Sequence, residues 1–277
     1  MDPDAYCEDK VARSGSSFAA SFRVLPEPRR RAITAVYAFC REVDDVVDEV
    51  TDPAVARLKL AWWRNEVAAA FDGSPTHPVA LALQGVVAEY ALPREHFDAV
   101  IDGMQMDLEQ NRYLDFAALE RYCHCAAGVV GLLSAEIFGY QDPATRGYAR
   151  DLGIAFQLTN IIRDVGEDAR RGRIYIPQDE LRRFAVSASD VLARRATPEF
   201  GALMAFQVQR ARARYAQALA ALPACDRRAQ RPGLIMAAVY RALLDEIERD
   251  GYQVLDRRIA LTPLVKAWIA WKTSWSY

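Results

Sequence analysis

Lysine is almost missing from this 277-residue chain: Lys10, Lys59, Lys266 and Lys272 are the only ones, and arginine supplies the remaining positive charge. With a formal net charge of −2 there is no basic excess to coat a nucleic acid, so a generic polyanion partner is not expected. Cysteine is equally sparse. Cys7, Cys40, Cys123, Cys125 and Cys225 form an odd, scattered set without C-x-x-C spacing, which argues against a disulfide framework or structural zinc and for reduced packing residues. No stretch reaches the roughly 18 uninterrupted apolar residues of a membrane span, and the amino terminus MDPDAYCEDK has no apolar run, so a cytoplasmic protein is expected. Strand-like alternation, fixed-period repeats, composition shifts and flexible linkers are also absent. The three histidines, His77, His96 and His124, lie far apart in sequence outside any metal or triad wording, and no catalytic role is assigned to them.

What remains is a chain with 52% hydrophobic and 26% charged residues, the composition of an ordinary globular protein with a sizeable core. Proline and glycine marks such as LPEP (25–28), DGSPTHP (72–78) and RRGRIYIP (170–177) separate long segments of helical period. VARLKLAWWRNEVAAAF and GALMAFQVQRARARYAQALAAL are examples, and Trp62 and Trp63 in the first read as packing residues. The expectation is an all-α, single-domain bundle over residues 1–277, with roughly eight to eleven helices.

One helical segment carries an excess of negative charge: five of the eight residues from Glu42 to Glu49 in CREVDDVVDEV are carboxylates. At about 100° per residue, Ile33, Val36, Phe39, Cys40, Val43, Val46, Val47 and Val50 share a buried face. Asp44 and Asp48 stack at its edge with Tyr37 and Arg41, whereas Glu42 and Glu49 fall toward the outer side. Two aspartates one turn apart repel, so they need a compensating charge, and a magnesium ion sharing their hard oxygens supplies one. A second stripe, Gln157, Asn160, Asp164 and Asp168 in GIAFQLTNIIRDVGEDARRGRIYIP, repeats the device with Arg163 beside it. A single such stripe is as readily a solvated acidic face, but two of them describe opposed walls of a cavity able to hold several Mg2+ ions and a diphosphate. Ionising an allylic diphosphate requires this charge neutralisation, and the resulting cation requires a dry apolar lining.

The wording SGSSFAASFRVLP, YAFCREVDDVVDEV, RYCHCAAGVVGLL and AFQLTNIIRDVGEDARRGRIYIP resembles the squalene/phytoene synthase family from near the start of the chain to about residue 258. YAFCREVDDVVDEV followed by KLAWWRNEV looks most like the presqualene diphosphate synthase branch of bacterial hopanoid biosynthesis. The resemblance implies the isoprenoid synthase helical bundle around a central cavity and a head-to-head (1′-1) condensation of two farnesyl diphosphates to presqualene diphosphate. That product would pass to a downstream squalene-forming enzyme. Squalene, dehydrosqualene or phytoene synthesis is the alternative, followed by a terpene cyclase or a non-catalytic assembly factor on the same fold. By position it implies that Asp44 and Asp48 bind Mg2+ on one wall and Asn160, Asp164 and Asp168 on the other. It further implies that Ser17, Tyr37, Arg41, Gln157, Arg163, Tyr240 and Arg257 contact diphosphate or order the site. Tyr122 matches the catalytic tyrosine, with Asp107 near it, and Ser16 stands where many relatives carry a lysine. The carboxyl-terminal LTPLVKAWIAWKTSWSY, with Trp268, Trp271, Trp275 and Tyr277, reads either as an interfacial helix in peripheral contact with a bilayer or as a helix packed on the bundle or a neighbouring subunit.

Overall fold

The computed structural model describes residues 2–15 and 17–276, so Ser16 and Tyr277 lie outside the described residues. Fourteen α-helices make up the described chain: α1 (Pro3–Arg13), α2 (Ser17–Ser21), α3 (Glu27–Glu49), α4 (Pro53–Asp72), α5 (Pro78–Glu89), α6 (Arg94–Glu109), α7 (Phe116–Cys123), α8 (Val129–Phe138), α9 (Ala144–Arg170), α10 (Gln178–Arg183), α11 (Ala188–Leu192), α12 (Pro198–Ala221), α13 (Arg231–Arg249) and α14 (Pro263–Ser276). No strand occurs among the described residues, only an isolated bridge between Arg112 and Ile174. The number exceeds the sequence-based expectation because α2, α10 and α11 have five or six residues, too few to display a period.

Local chemistry sets the helix ends. The Asp52 carboxylate accepts the Ala54 N–H at 2.8 Å while Pro53 supplies a ready-made first-turn φ, and Gly73 at φ 96° closes α4. Thr197 and Pro198 start α12 the same way, with the Thr197 hydroxyl accepting from Phe200 N at 3.2 Å. His77 has a comparable structural task, its Nδ1 capping α5 through Val79 N at 3.2 Å.

The core divides into two apolar clusters. One gathers α1, α3, α4, α5 and α6 around residues such as Phe39, Leu60, Trp63 and Phe97; the other gathers α9, α12 and α13 around Leu158, Met204, Tyr215 and Leu244. Phe18 and Ala126 pack against both. A cavity of about 690 Å³ lies between them, lined from the first by Ile33, Val36 and Met104 and from the second by Leu152, Phe156 and Met236. Of the cysteines, Cys7 and Cys123 are buried as expected, but Cys225 is exposed and is not a packing residue.

The second cluster is held close by glycine. A Cβ on Gly131 of α8 would stand 2.1 Å from the Ala149 carbonyl oxygen, and one on Gly153 of α9 would stand 2.3 Å from the Ala127 carbonyl oxygen, so these backbones touch directly. Gly131→Ala therefore forces the helices apart at the cavity wall, and we expect it to cost about 2 kcal/mol or more, read as a lower urea midpoint at unchanged slope. A midpoint equal to that of the parent protein would contradict this contact.

On α3 the apolar face is buried as the periodicity requires, apart from the half-buried Cys40 and, just past the helix end, Val50. The expected outer position of Glu42 is corrected. Helix α1 lies over that side, where the Tyr6 hydroxyl donates to Glu42 at 2.8 Å and Lys10 bridges Glu42 and Asp45, each at 2.9 Å. Helix periodicity assigns an angular position but does not say which later contact will cover it. Glu49 is exposed, as expected.

Candidate active site

Helix α3 brings Tyr37, Arg41, Asp44 and Asp48 to the cavity, and α9 brings Gln157, Asn160, Arg163, Asp164 and Asp168 to its other side. Both sets follow the three-and-four spacing that keeps side chains on one helical stripe. The two walls expected from the sequence therefore face one space.

Most of these carboxylates are held by arginine. Arg41 donates to Asp44 at 2.5 Å and to Asp45 at 2.8 Å. Asp48 receives Arg171 at 2.6 Å and Arg173 at 3.4 Å. Asp164 receives Arg163 Nε at 2.7 Å and Arg258 Nε at 3.0 Å. Arg171, Arg173 and Arg258 were missed by sequence reasoning. The signal for the first two was their place just beyond the last turn of α9: Gly172 adopts φ 76°, and the N–H groups of Arg171 and Arg173 both donate to the Asp168 carbonyl, turning the basic run back toward the site.

Arg257 is corrected. It pairs with Asp250, its side chain is 62% exposed, and it is not among the cavity-lining residues; its neighbour Arg258 is. The cause is tertiary. Gly166 of α9 donates its N–H to the Val254 carbonyl at 3.1 Å, and only a residue without a Cβ permits this, since a Cβ would lie 2.5 Å from the Leu255 carbonyl oxygen. This anchor holds the segment just before the two arginines against α9, and Arg258 then reaches Asp164 while Arg257 reaches Asp250. Ser17 belongs to α2, but its side chain lies outside the described residues. Tyr240 is buried against Phe156, with ring centroids 5.0 Å apart, beside Arg163. Tyr37 lies 6.1 Å from both the Phe18 and Phe22 rings.

Deeper in the cavity, Asp107 of α6 accepts hydrogen bonds from the Tyr122 hydroxyl at 2.9 Å and the Tyr175 hydroxyl at 2.8 Å. The Tyr122 and Tyr175 rings stack at 5.2 Å, and Gln157 Nε2 reaches the Tyr122 oxygen at 3.5 Å. A π-helical segment, His124–Gly128, begins two residues after Tyr122, the kind of helix irregularity that recurs at functional sites. Tyr175 was not singled out from the sequence, because nothing in RRGRIYIP reveals that it meets Asp107.

Unmatched negative charge leaves a clear electrostatic record. Burial, aided by Asp164 and Asp107, pushes the Asp168 carboxyl up to about 8. Burial raises Asp44 to about 6 against the opposing pull of Arg41, and raises Asp107 to about 6 against its tyrosine donors. Asn160 Oδ1 is buried without a hydrogen-bond partner and borders the same space. Among the described residues no three carboxylate, imidazole or thiolate groups converge on one point. The oxygen-only donor set, with an orphaned carboxamide oxygen and partly uncompensated carboxylates, nevertheless fits hard divalent cations whose remaining positions are filled by another oxygen ligand.

These shifts have a sign. A carboxyl whose folded pKa lies above its unfolded value near 3.8 holds a proton that the unfolded chain releases, so stability falls as pH rises toward the folded pKa. All three aspartates contribute from pH near 4 to about 6, and Asp168 alone continues to about 8. In chelator-treated protein we expect a lower melting temperature at pH 8 than at pH 6, with the gap narrowed by Mg2+ plus inorganic diphosphate. Equal melting temperatures at both pH values would count against this charge balance.

The squalene/phytoene synthase family model matches residues 11–265. The chain is 37% identical to the phytoene synthase of Arthrospira platensis over 92% of its own length and 87% of that relative. It also matches longer chains, spanning 63% of the length of the chloroplastic phytoene synthase 3 of Zea mays at 38% identity. Among solved structures, a dehydrosqualene synthase in complex with ligand superposes with a TM-score of 0.90 at 27% identity, covering 99% of this chain and 97% of the other. The squalene synthase HpnC from Alicyclobacillus acidocaldarius gives 0.79 at 32% identity, covering 90% and 94%.

Proposed function

Because the chain belongs to the squalene/phytoene synthase family, whose members condense prenyl diphosphates head to head, we propose that it joins two farnesyl diphosphates into presqualene diphosphate and releases diphosphate. The observation that carries this reading is a single cavity with the Asp44/Asp48 and Asn160/Asp164/Asp168 stripes on facing walls and the Tyr122–Asp107 pair within it. Support for thirty-carbon chemistry comes from the solved relatives named for dehydrosqualene and squalene synthesis. The curated relatives named phytoene synthases favour the forty-carbon alternative, and the experiment below separates the two.

The family generally depends on divalent metal, and Asp44, Asp48, Asn160, Asp164 and Asp168 are the residues that would hold Mg2+. Bound there, it would neutralise the charge of the departing diphosphate. Arg41, Arg163, Arg171, Arg173 and Arg258 border the same space and bind and orient the diphosphate oxygens, a task suited to planar guanidinium donors. As the donor C1–O bond breaks, the pair of electrons in the acceptor C2=C3 bond closes on donor C1, and loss of a proton from that carbon completes the cyclopropane. The Tyr122 oxygen takes this proton while its own hydroxyl proton shifts to Asp107, 2.9 Å away. Val36, Met104, Leu152, Phe156 and Met236 give the cation an apolar surround that keeps water from capturing it. A separate, reductive squalene-forming enzyme would consume the product.

The test is product analysis by mass spectrometry with Mg2+ and farnesyl diphosphate, with and without NADPH. Presqualene diphosphate in both reactions is expected. Squalene appearing only with NADPH would overturn the stopping point, phytoene-type product from geranylgeranyl diphosphate in preference would overturn the chain length, and no product from either would move the assembly-factor reading forward.

A further inference from the structure

We propose that the outward face of α14 is a membrane-docking surface that holds the cavity mouth against an anionic bilayer. The face is built from Leu264, Trp268, Trp271 and Trp275, which are 83%, 58%, 61% and 78% exposed. Their spacing of four, three and four residues sets them in one stripe along the helix. Ile269 and Ala270 point the other way and are half-buried, Ile269 against the core that includes α13. The helix is thus already docked on the bundle by one face, and its more aromatic face is left outside.

Three features select a lipid surface as the occupant. Tryptophan joins a large apolar ring to a hydrogen-bonding N–H and favours the boundary between headgroups and acyl chains. The charge also suits anionic headgroups: on its outer side α14 carries Lys272 and no acidic residue, and none follows Asp256, in a chain whose overall charge is −2. Lys272 Nζ stands 5.2 Å over the Trp268 ring, placing a cation at the flank of the stripe. Third, the approach to α14 borders the active site, because Arg258, Ile259, Ala260, Leu261 and Lys266 line the cavity. A product with a diphosphate head and a long prenyl tail, leaving past these residues, would emerge on the α14 side of the molecule.

The alternatives fit less well. No helix among the described residues is long and apolar enough to cross a membrane, so the face lies on the bilayer rather than through it. A second copy of the chain would need a larger contact: a 14-residue helix is about 21 Å long, and one face about 10 Å wide offers on the order of 200 Å² against about 800 Å² per partner in a stable dimer. The reason for placing the mouth at a membrane rests on the proposed lipid product, whereas the surface itself rests on exposure and charge.

The experiment is flotation of the full chain with vesicles of phosphatidylcholine alone and of equal parts phosphatidylcholine and phosphatidylglycerol. The parent protein should float with the anionic vesicles, and its tryptophan emission should shift to the blue. Trp268→Ser/Trp271→Ser and, separately, Lys272→Glu should each lower the bound fraction about tenfold. Turnover of soluble substrate and the urea midpoint should be unchanged, which excludes misfolding. The proposal is overturned if the parent protein stays at the bottom of both gradients, if the variants float as well as the parent, or if sedimentation shows a dimer that the double variant abolishes. Turnover measured without vesicles reports on the proposed reaction separately, so failure of one leaves the other readable.

Discussion

Asp164→Asn is expected to lower kcat about 10²- to 10³-fold while leaving the fold intact. Asp164 occupies the middle of the α9 stripe, between Asn160 and Asp168, and joins Arg163 on its own helix to Arg258 on the distant loop. The carboxamide keeps the shape and removes the charge, so one hard oxygen ligand is weakened and the two arginines lose their common acceptor. Folding should not suffer. Asp164 is among the groups that raise the Asp168 carboxyl, so removing its charge relieves repulsion as it removes an ion pair. The informative readouts are kcat, the Mg2+ concentration giving half-maximal rate, and the urea midpoint. A rate within threefold of the parent protein at the same Mg2+ requirement would refute the assignment of this stripe to the metal-bound diphosphate.

Tyr122→Phe should have a comparable effect on the rate for a different reason. The ring stays and the packing with Tyr113 and Tyr175 survives, at centroid distances of 5.6 and 5.2 Å in the parent protein, but the oxygen that faces Asp107 is gone. We expect a loss of about 10²- to 10⁴-fold in kcat, the span associated with one positioned proton-transfer group, with little change in KM. Tyr175→Phe is the comparison. It removes the other donor to Asp107 without removing the proposed proton acceptor, so its effect should be nearer tenfold and should appear partly as an altered pH profile, since that hydrogen bond opposes the rise of the Asp107 carboxyl. If Tyr122→Phe turns over normally, Tyr122 only packs, and the proton must leave by another group.

Part of this site was legible in the order of residues because helix geometry is local. Asp44 and Asp48 had to share an edge with Tyr37 and Arg41, and Asn160, Asp164 and Asp168 had to share another, whatever the rest of the chain did. The apolar face of α3 was readable for the same reason. Short helices were not: α10 and α11 contain less than two turns, so their residues complete no period. Glu42 shows the limit from another side. Its angular position was correct, yet α1 arrives from more than thirty residues away and covers it with Tyr6 and Lys10.

The sequence by itself determined an all-α chain, the two carboxylate stripes and the chemistry their hard oxygens favour, because each depends on neighbours within one helical turn. Only the tertiary structure decided that the stripes face one cavity, that Asp107 receives both Tyr122 and Tyr175, and that Arg258 rather than Arg257 turns inward. Those outcomes depend on contacts between residues far apart in the chain, such as the Gly166 N–H to the Val254 carbonyl and the backbone contact at Gly131, where a single Cβ would exclude the neighbouring segment.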